Sequence, residues 1–422
     1  MQKILLFIAS LFYFNFLFSK NEIKSWQGIH ETPLSRLEQQ FADPPVEFAN
    51  HVIWGWEGKM DKKTICNDLD SIKKKGFRAI IFEAGYKLPF KYLSEEWFKA
   101  IRTGVLEAKK RGMKVWIIDE GKYPSGFAGG KFSQERPDLR MQALVIGDTI
   151  QIKRGEVMTN HKIAPEIISA VAVSTSGAPN RTVAINNGEI SFNAGLDDWK
   201  ILLVKSDFRT AVTRAVNNPN GGKDATNSLC DYLNPVAVQQ FIDWTHEQYK
   251  KYLGKELGTT VLGFRGDEPD YAHLPWTPSI VQTFKETKGY DPTPYLASFF
   301  TASPTIQEQR VKADYWDVWS SLFATHFFKL QADWCAANGV AHITHLNKEH
   351  EMPACVKAEG DYFRNLSKVQ IPGVDAIWNQ IWPSTLNDFP KLASSVAHVY
   401  GKPRAFSESF AAYHISPTIP QA

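Results

Sequence analysis

Gly263-Phe264-Arg265-Gly266-Asp267-Glu268-Pro269-Asp270 follows the apolar run Thr259-Thr260-Val261-Leu262, and a second isolated acid comes 140 residues later in Phe406-Ser407-Glu408-Ser409-Phe410. Each segment reads as a short buried strand ending abruptly in carboxylate. An unpaired buried charge costs several kcal/mol, so an acid at such a tip needs a partner or a task. Two acids arriving from different strands are the minimal equipment for cleaving a glycosidic bond: one carboxyl protonates the leaving oxygen and one carboxylate activates water. Asp267 beside Glu268 favours the proton staying on Glu268, which makes Glu268 the general acid and Glu408 the base. The structural alternatives are an N-cap-like role or an ion pair with Arg265 for Glu268, and hydrogen bonds from Ser407 and Ser409 to Glu408.

The elements that must position these acids repeat. From about residue 44, short β-rich runs alternate with amphipathic helical stretches, the pattern of parallel β/α units. His51 to Trp56, Ala79 to Phe82 with Glu83 at its tip, and Lys114 to Ile118 with Asp119-Glu120 at its tip are the first three strands. Ile65, Leu69 and Ile72 share one face of the first helix, which closes on Lys73-Lys74-Lys75-Gly76. Residues 141–216 change rhythm to alternating apolar strands, with the turn signal Asn186-Asn187-Gly188, and read as an antiparallel β insertion between the third and fourth units. Helical pattern returns at Asn234-Pro235 on a stripe of Val238, Phe241, Ile242, Thr245 and Tyr249. The strands after Glu268 are Val340 to His345, Val374 to Trp378, and Arg404 to Glu408.

That makes seven strands, one short of a closed (β/α)8 TIM barrel. The expected fold class is therefore α/β, a TIM-barrel catalytic domain truncated after its seventh strand. The expected organisation is a signal peptide (1–20), a lead-in (21–43), the first barrel part (44–140), the β insertion (141–216) and the second barrel part (217–422). Lys3 followed by an apolar stretch from Ile4 to Phe18 has the layout of a secretory signal, too short to span a membrane, so the expected location is periplasmic or secreted. A net charge of +3 from 48 basic and 45 acidic residues gives no footprint for nucleic acid. Four cysteines (Cys66, Cys230, Cys335, Cys355) lie far apart, without zinc spacing. Aromatic residues make up 13% of the chain, a composition suited to stacking on sugar rings. Trp54, Trp56, Tyr123 and Trp378 fall near strand ends, where such platforms would stand.

Pro44-Pro45-Val46 before Trp54-Gly55-Trp56, the run Asp119 to Gly130, Gly266-Asp267-Glu268-Pro269, Glu359 to Arg364 leading into Val369 to Asp375, and Asp388 to His398 leading into Ser407-Glu408-Ser409-Phe410 together resemble glycoside hydrolase family 106, the bacterial α-L-rhamnosidases. The resemblance implies a barrel with β-rich additions, inversion at the anomeric carbon, calcium dependence with unassigned ligands, and an oligo- or polysaccharide substrate. Relatives are longer than this chain. Glu83, Asp119, Glu120, Arg265, Asp267, Glu359 and Asp361 are candidates for sugar contact, as are His345 and Asn347. His342 and His345 stand three apart in a strand and face opposite sides, which argues against shared metal ligation. The competing readings are a non-catalytic carbohydrate-binding remnant and a retaining glycosidase of a related barrel.

Overall fold

The computed structural model describes residues 33–121, 123–209, 228–271, 274–377, 380–381 and 387–409, with the backbone of Thr213–Arg214 and Lys223–Asp224. The apolar leader and Trp378 lie outside these residues. Seven strands, β1 (His51–Trp56), β2 (Ala79–Ala84), β3 (Lys114–Ile118), β4 (Val261–Asp267), β5 (Ala341–His345), β6 (Ile371–Ala376) and β7 (Phe406–Ser409), join in chain order into one sheet. Every neighbouring pair is parallel. This is the arrangement of a partial barrel, in the number and order expected; β6 begins at Ile371, earlier than the apolar run at Val374 suggested.

Side chains alternate across each strand, so the sheet has two unlike faces. One carries Ile81, Trp116, Ile118, Leu262, Ala341, Ile343 and Ile371, with Ile53 and Phe406 packed against them. The other carries Trp54, Trp56, Phe82, Val115, Ile117 and Phe264, covered by helices. Of those helices, α1 (Lys62–Lys74) starts on Asp61, whose side chain accepts from the Thr64 amide at 2.9 Å, and buries Ile65 and Leu69. The next, α2 (Glu95–Lys110), starts on Ser94 and buries Trp97, Phe98, Ile101 and Val105. Each such large side chain contributes about 1.5–3 kcal/mol by leaving water.

Trp54 and Trp56 belong to this helix-covered face. Trp56 is fully buried, edge-on to Phe82 and Trp97 at 4.9 and 5.7 Å. They are core residues rather than sugar platforms, because the strand's two-residue period turns them away from the face that carries the acids.

Gly263 is where β4 packs tightest. A Cβ there would stand 1.9 Å from the Ala341 carbonyl oxygen and 2.6 Å from the Trp116 ring. Backbone of a paired strand cannot move aside cheaply, so Gly263→Ala is expected to destabilise the fold by about 3 kcal/mol, the upper end for overpacking. A denaturant melt showing an unchanged midpoint would refute that.

The expected single helix after Asn234-Pro235 is two, Pro235–Trp244 and His246–Leu253. Thr245 breaks it, with φ −114° and ψ −83°, its hydroxyl donating to the Phe241 carbonyl at 2.7 Å.

Between β3 and β4 lies the expected antiparallel insertion. Its long strands, Gln142–Ile152, Trp199–Phe208 and Ile167–Ser174, pair in that order. Asn187 and Gly188 both take positive φ in the two-residue turn joining Ile185–Asn186 to Glu189–Asn193, as the Asn-Asn-Gly signal required. Pro275–Trp276, eight residues beyond the end of β4, returns to pair with Gln142 and Ala143 at the edge of this sheet, a tie that no sequence period announces. The inner face of the insertion shares one core with the later helices, joining Leu144, Val171 and Leu202 to Val238, Phe241, Leu296 and Tyr315.

Candidate active site

The face that carries Gly263, Ile343, Ile371 and Phe406 ends in charge. One or two steps of the same alternation bring Arg265 and Asp267 on β4, His345 on β5, Asp375 on β6 and Glu408 on β7 to one end of the sheet. Register sets Asp267 beside His345 and Asp375 beside Glu408. Strand pairing alone thus assembles a polar layer on top of an apolar one.

His345 is the hub. Its Nε2 lies 3.4 Å from Asp267 Oδ1, 3.8 Å from Glu268 Oε1 and 3.9 Å from Glu408 Oε2. Burial alone would pull the imidazole down, but Glu268, Asp267 and Glu349 outweigh it and raise its pKa to about 10, against the opposing charge of Arg265. The carboxylates thus favour the protonated imidazole at neutral pH, while the Arg265 guanidinium, which can only donate, stands 3.4 Å from Nδ1 and opposes it.

Glu268 follows β4 with φ +40°, a left-handed conformation that costs a non-glycine residue on the order of 1–3 kcal/mol. Glu408 is the ion-pair partner of the Arg265 guanidinium, which itself is fully enclosed. Arg265 also meets Asp267 at 3.4 Å. Arg265 thus pairs with Glu408 and Asp267, not with Glu268 as the structural alternative had it, and the flanking hydroxyls of Ser407 and Ser409 bond each other at 2.7 Å. Asp267, shared between Arg265 and His345, is not the uncompensated neighbour that the sequence argument gave Glu268. Because Glu268 and Glu408 both face His345 Nε2, the two facing oxygens lie no farther apart than the sum of their distances to it. That bound admits the gap of an inverting pair, about 6.5–9.5 Å, and that of a retaining pair, about 5–5.5 Å.

Asp375 and Glu349 were not singled out from sequence. Asp375 has an enclosed Oδ1 without a hydrogen-bond partner among the described residues, and comes within 4.8 Å of both Glu268 and His345. Burial, with Glu408 and Glu268 adding to it against the pull of His345, pushes its carboxyl toward the protonated form. Glu349 is raised to about 7, chiefly by burial. The usable signal for Asp375 was its place on the strand face shared with Glu408.

The other expected contacts divide. Glu83 is half-buried at the end of β2, near enough to add to the electrostatic environment of Arg265. Tyr123 is half-buried in the loop after β3. Asp119 is buried; its Oδ1 accepts from the Ser125 hydroxyl at 2.6 Å, and burial holds it well above the carboxylate range. Glu359 is buried, accepts from the Asn347 amide, and is likewise raised, mainly by burial.

Glu120 and Asp361 have structural occupations. Asp361 is exposed and caps the helix Tyr362–Leu366, accepting from the Arg364 amide at 2.8 Å. Glu120 accepts from the amides of Gly121, Ala128 and Gly129, folding the glycine-rich loop around itself. Burial raises its carboxyl to about 7, with those amides pulling the other way. Glu120→Ala strands three donors and is expected to cost about 3 kcal/mol or more, at about 1–3 kcal/mol for each unsatisfied group, read as a fall in the thermal midpoint.

Calcium takes six to eight oxygens. Among the described residues, the donor groups at this end of the sheet, Asp267/His345/Glu408 and Glu268/His345/Asp375, each offer two carboxylates and one imidazole nitrogen. Neither fits that ion. The recess of about 600 Å³ lined by Arg102, Lys109, Lys251, Tyr252 and Glu256 shares no residue with the carboxylate cluster.

The fold recurs among known proteins. A relative from Formosa agariphila, provisionally named a beta-glucuronidase, is 23% identical over 89% of this chain and 35% of its own length. The solved rhamnosidase of Novosphingobium sp. PP1Y superposes with a TM-score of 0.66 at 16% identity, covering 92% of this chain and 54% of that one, and so shares the fold. The chain thus spans about a third of the first relative and about half of the second. The family model for alpha-L-rhamnosidase matches residues 169–419, more than half of the sequence. This chain belongs to that family, glycoside hydrolase family 106.

Proposed function

We propose that the chain carries the catalytic carboxylates of an exported, inverting α-L-rhamnosidase acting on rhamnose-containing glycans. What supports this reading most is the convergence of Glu268 and Glu408, from the ends of different parallel strands, on the His345 ring. Glu268 delivers a proton to the leaving oxygen, drawing it from the neighbouring Asp375, whose carboxyl is pushed toward the protonated form. Glu408, aligned by Arg265, takes a proton from the water that attacks the opposite face of the sugar. His345 holds the ring of negative charge together, so that the carboxylates can stand close without repelling one another apart. The same reading takes the seven strands as members of a closed (β/α)8 barrel, and the apolar leader as the export signal. Among the described residues no helix is long and apolar enough to cross a membrane.

The test is release of the aglycone from an aryl α-L-rhamnoside by the purified chain, beside an aryl β-D-glucuronide because of the name its relative carries, with and without a calcium chelator. Rhamnoside cleavage above a Glu268→Gln control supports the proposal. Binding without turnover would replace it with the carbohydrate-binding reading. NMR of the first-formed anomer decides between inversion and retention.

A further inference from the structure

On the helix-covered face of the sheet, away from the carboxylates, His246, Cys335 and His342 bring one donor atom each to within 4.8 Å of one another. All three residues are buried. They come from three separate elements: the start of the helix His246–Leu253, the helix Lys329–Ala337, and β5. His342 faces this side because it is three residues from His345, and strand alternation turns the two rings to opposite faces.

The hydrogen-bond pattern fixes which atoms are free. Thr245 Oγ1 spends its hydrogen on the Phe241 carbonyl at 2.7 Å, so its contact with His246 Nδ1 at 2.9 Å requires the ring nitrogen to be the donor. His246 is therefore the Nδ1–H tautomer, and its Nε2 presents a lone pair. That Nε2, and both ring nitrogens of His342, are enclosed with no hydrogen-bond partner among the described residues. Cys335 is a free, enclosed thiol. Burial keeps both imidazoles neutral, the form that ligates. Phe264 lies 4.3 Å and Trp334 5.1 Å from the His246 ring, so aromatic carbon flanks it. Three polar groups are thus gathered in an apolar layer without satisfying one another. The Thr245 contact is the outer partner that a metal-binding histidine ordinarily has.

We infer that His246 Nε2, Cys335 Sγ and a ring nitrogen of His342 form a structural binding site for a borderline-soft divalent cation, Zn2+ by choice. Two imidazoles and one thiolate suit zinc, with Zn–N about 2.0–2.1 Å and Zn–S about 2.3 Å, and exclude the hard cations that take oxygen. Donors that lie within 4.8 Å of one another have to draw together to the roughly 3.5 Å that those bond lengths and tetrahedral angles set. Binding displaces the proton of Cys335 to solvent and leaves a fourth position for a water. The ion would pin the helix start, the later helix and β5 to one point beneath the catalytic end. This site stands apart from the proposed catalysis, so its failure and the failure of that proposal are separate results.

Because the donors are buried, the ion has to enter as the chain folds. The full chain is therefore purified from cells supplied with Zn2+ and, separately, with Co2+. The expected results are one equivalent of zinc that survives desalting, and in the cobalt form a thiolate-to-cobalt charge-transfer band with tetrahedral d–d bands. Cys335→Ser is expected to abolish the charge-transfer band. Absence of retained metal, or a band unchanged in that variant, overturns the inference. Should the variant fail to fold, zinc-edge X-ray absorption on the unaltered chain decides: one sulfur with nitrogen neighbours supports the site, and a shell of nitrogen and oxygen alone refutes it.

Discussion

Glu268→Gln is expected to lower kcat/KM on an unactivated rhamnoside by about 10²–10⁴, the contribution of a positioned general acid. Glu408→Gln is expected to fall in the same range, and the two roles part on leaving-group dependence. A nitrophenolate leaves without much help from an acid, so the loss in Glu268→Gln shrinks on a nitrophenyl substrate. The loss in Glu408→Gln persists there, because water still has to be deprotonated. Combining the substitutions should cost far less than the product of the two effects, since groups acting as a unit are not additive. Glu408→Gln also withdraws a carboxylate paired with the buried Arg265, so thermal melts must accompany the kinetics. Two folded variants with wild-type turnover would remove both residues from the mechanism.

His345 makes the fold itself sensitive to alkali. Its folded pKa of about 10 lies above the ordinary histidine value of 6.5. Above pH 6.5 the folded chain therefore binds more protons here than the unfolded chain, and stability declines as pH rises. The His345 contribution is whole below about pH 6.5 and is lost as pH passes through about 10. At about 1.36 kcal/mol per pH unit, the full contribution is on the order of a few kcal/mol. In His345→Gln the neutral amide cannot titrate, so the difference between the two proteins' unfolding free energies should narrow steadily from pH 7 to pH 10. A difference independent of pH would mean that the imidazole is not charged in the fold.

Much of this architecture is legible in the residues because strand and helix periods speak directly about burial. The seven parallel strands, the insertion after β3 and the Asn-Asn-Gly turn all rest on patterns a few residues long. So does the separation of His342 from His345, since a period of two decides it. What escaped was set by distant partners. Trp54 and Trp56 sit at a strand end, but which face they take depends on where Phe82 and Trp97 lie. Asp361 reads the same whether it meets a sugar or caps a helix. Glu120 has three backbone donors because the loop from Gly121 to Gly129 curls back on it, and no local spacing reveals that curl. Asp375 was passed over because a lone acid within an apolar strand gains meaning only from the register that sets it beside Glu408.

The strand Pro275–Trp276 gives the insertion a grip on chemistry. The segment bearing Glu268 is anchored at its start by β4 and, seven residues after that glutamate, by the edge of the inserted sheet. The insertion is accordingly no detachable cassette. Excising it would cut a mooring of the acid, and grafting the barrel strands onto another scaffold would have to carry the inserted sheet along.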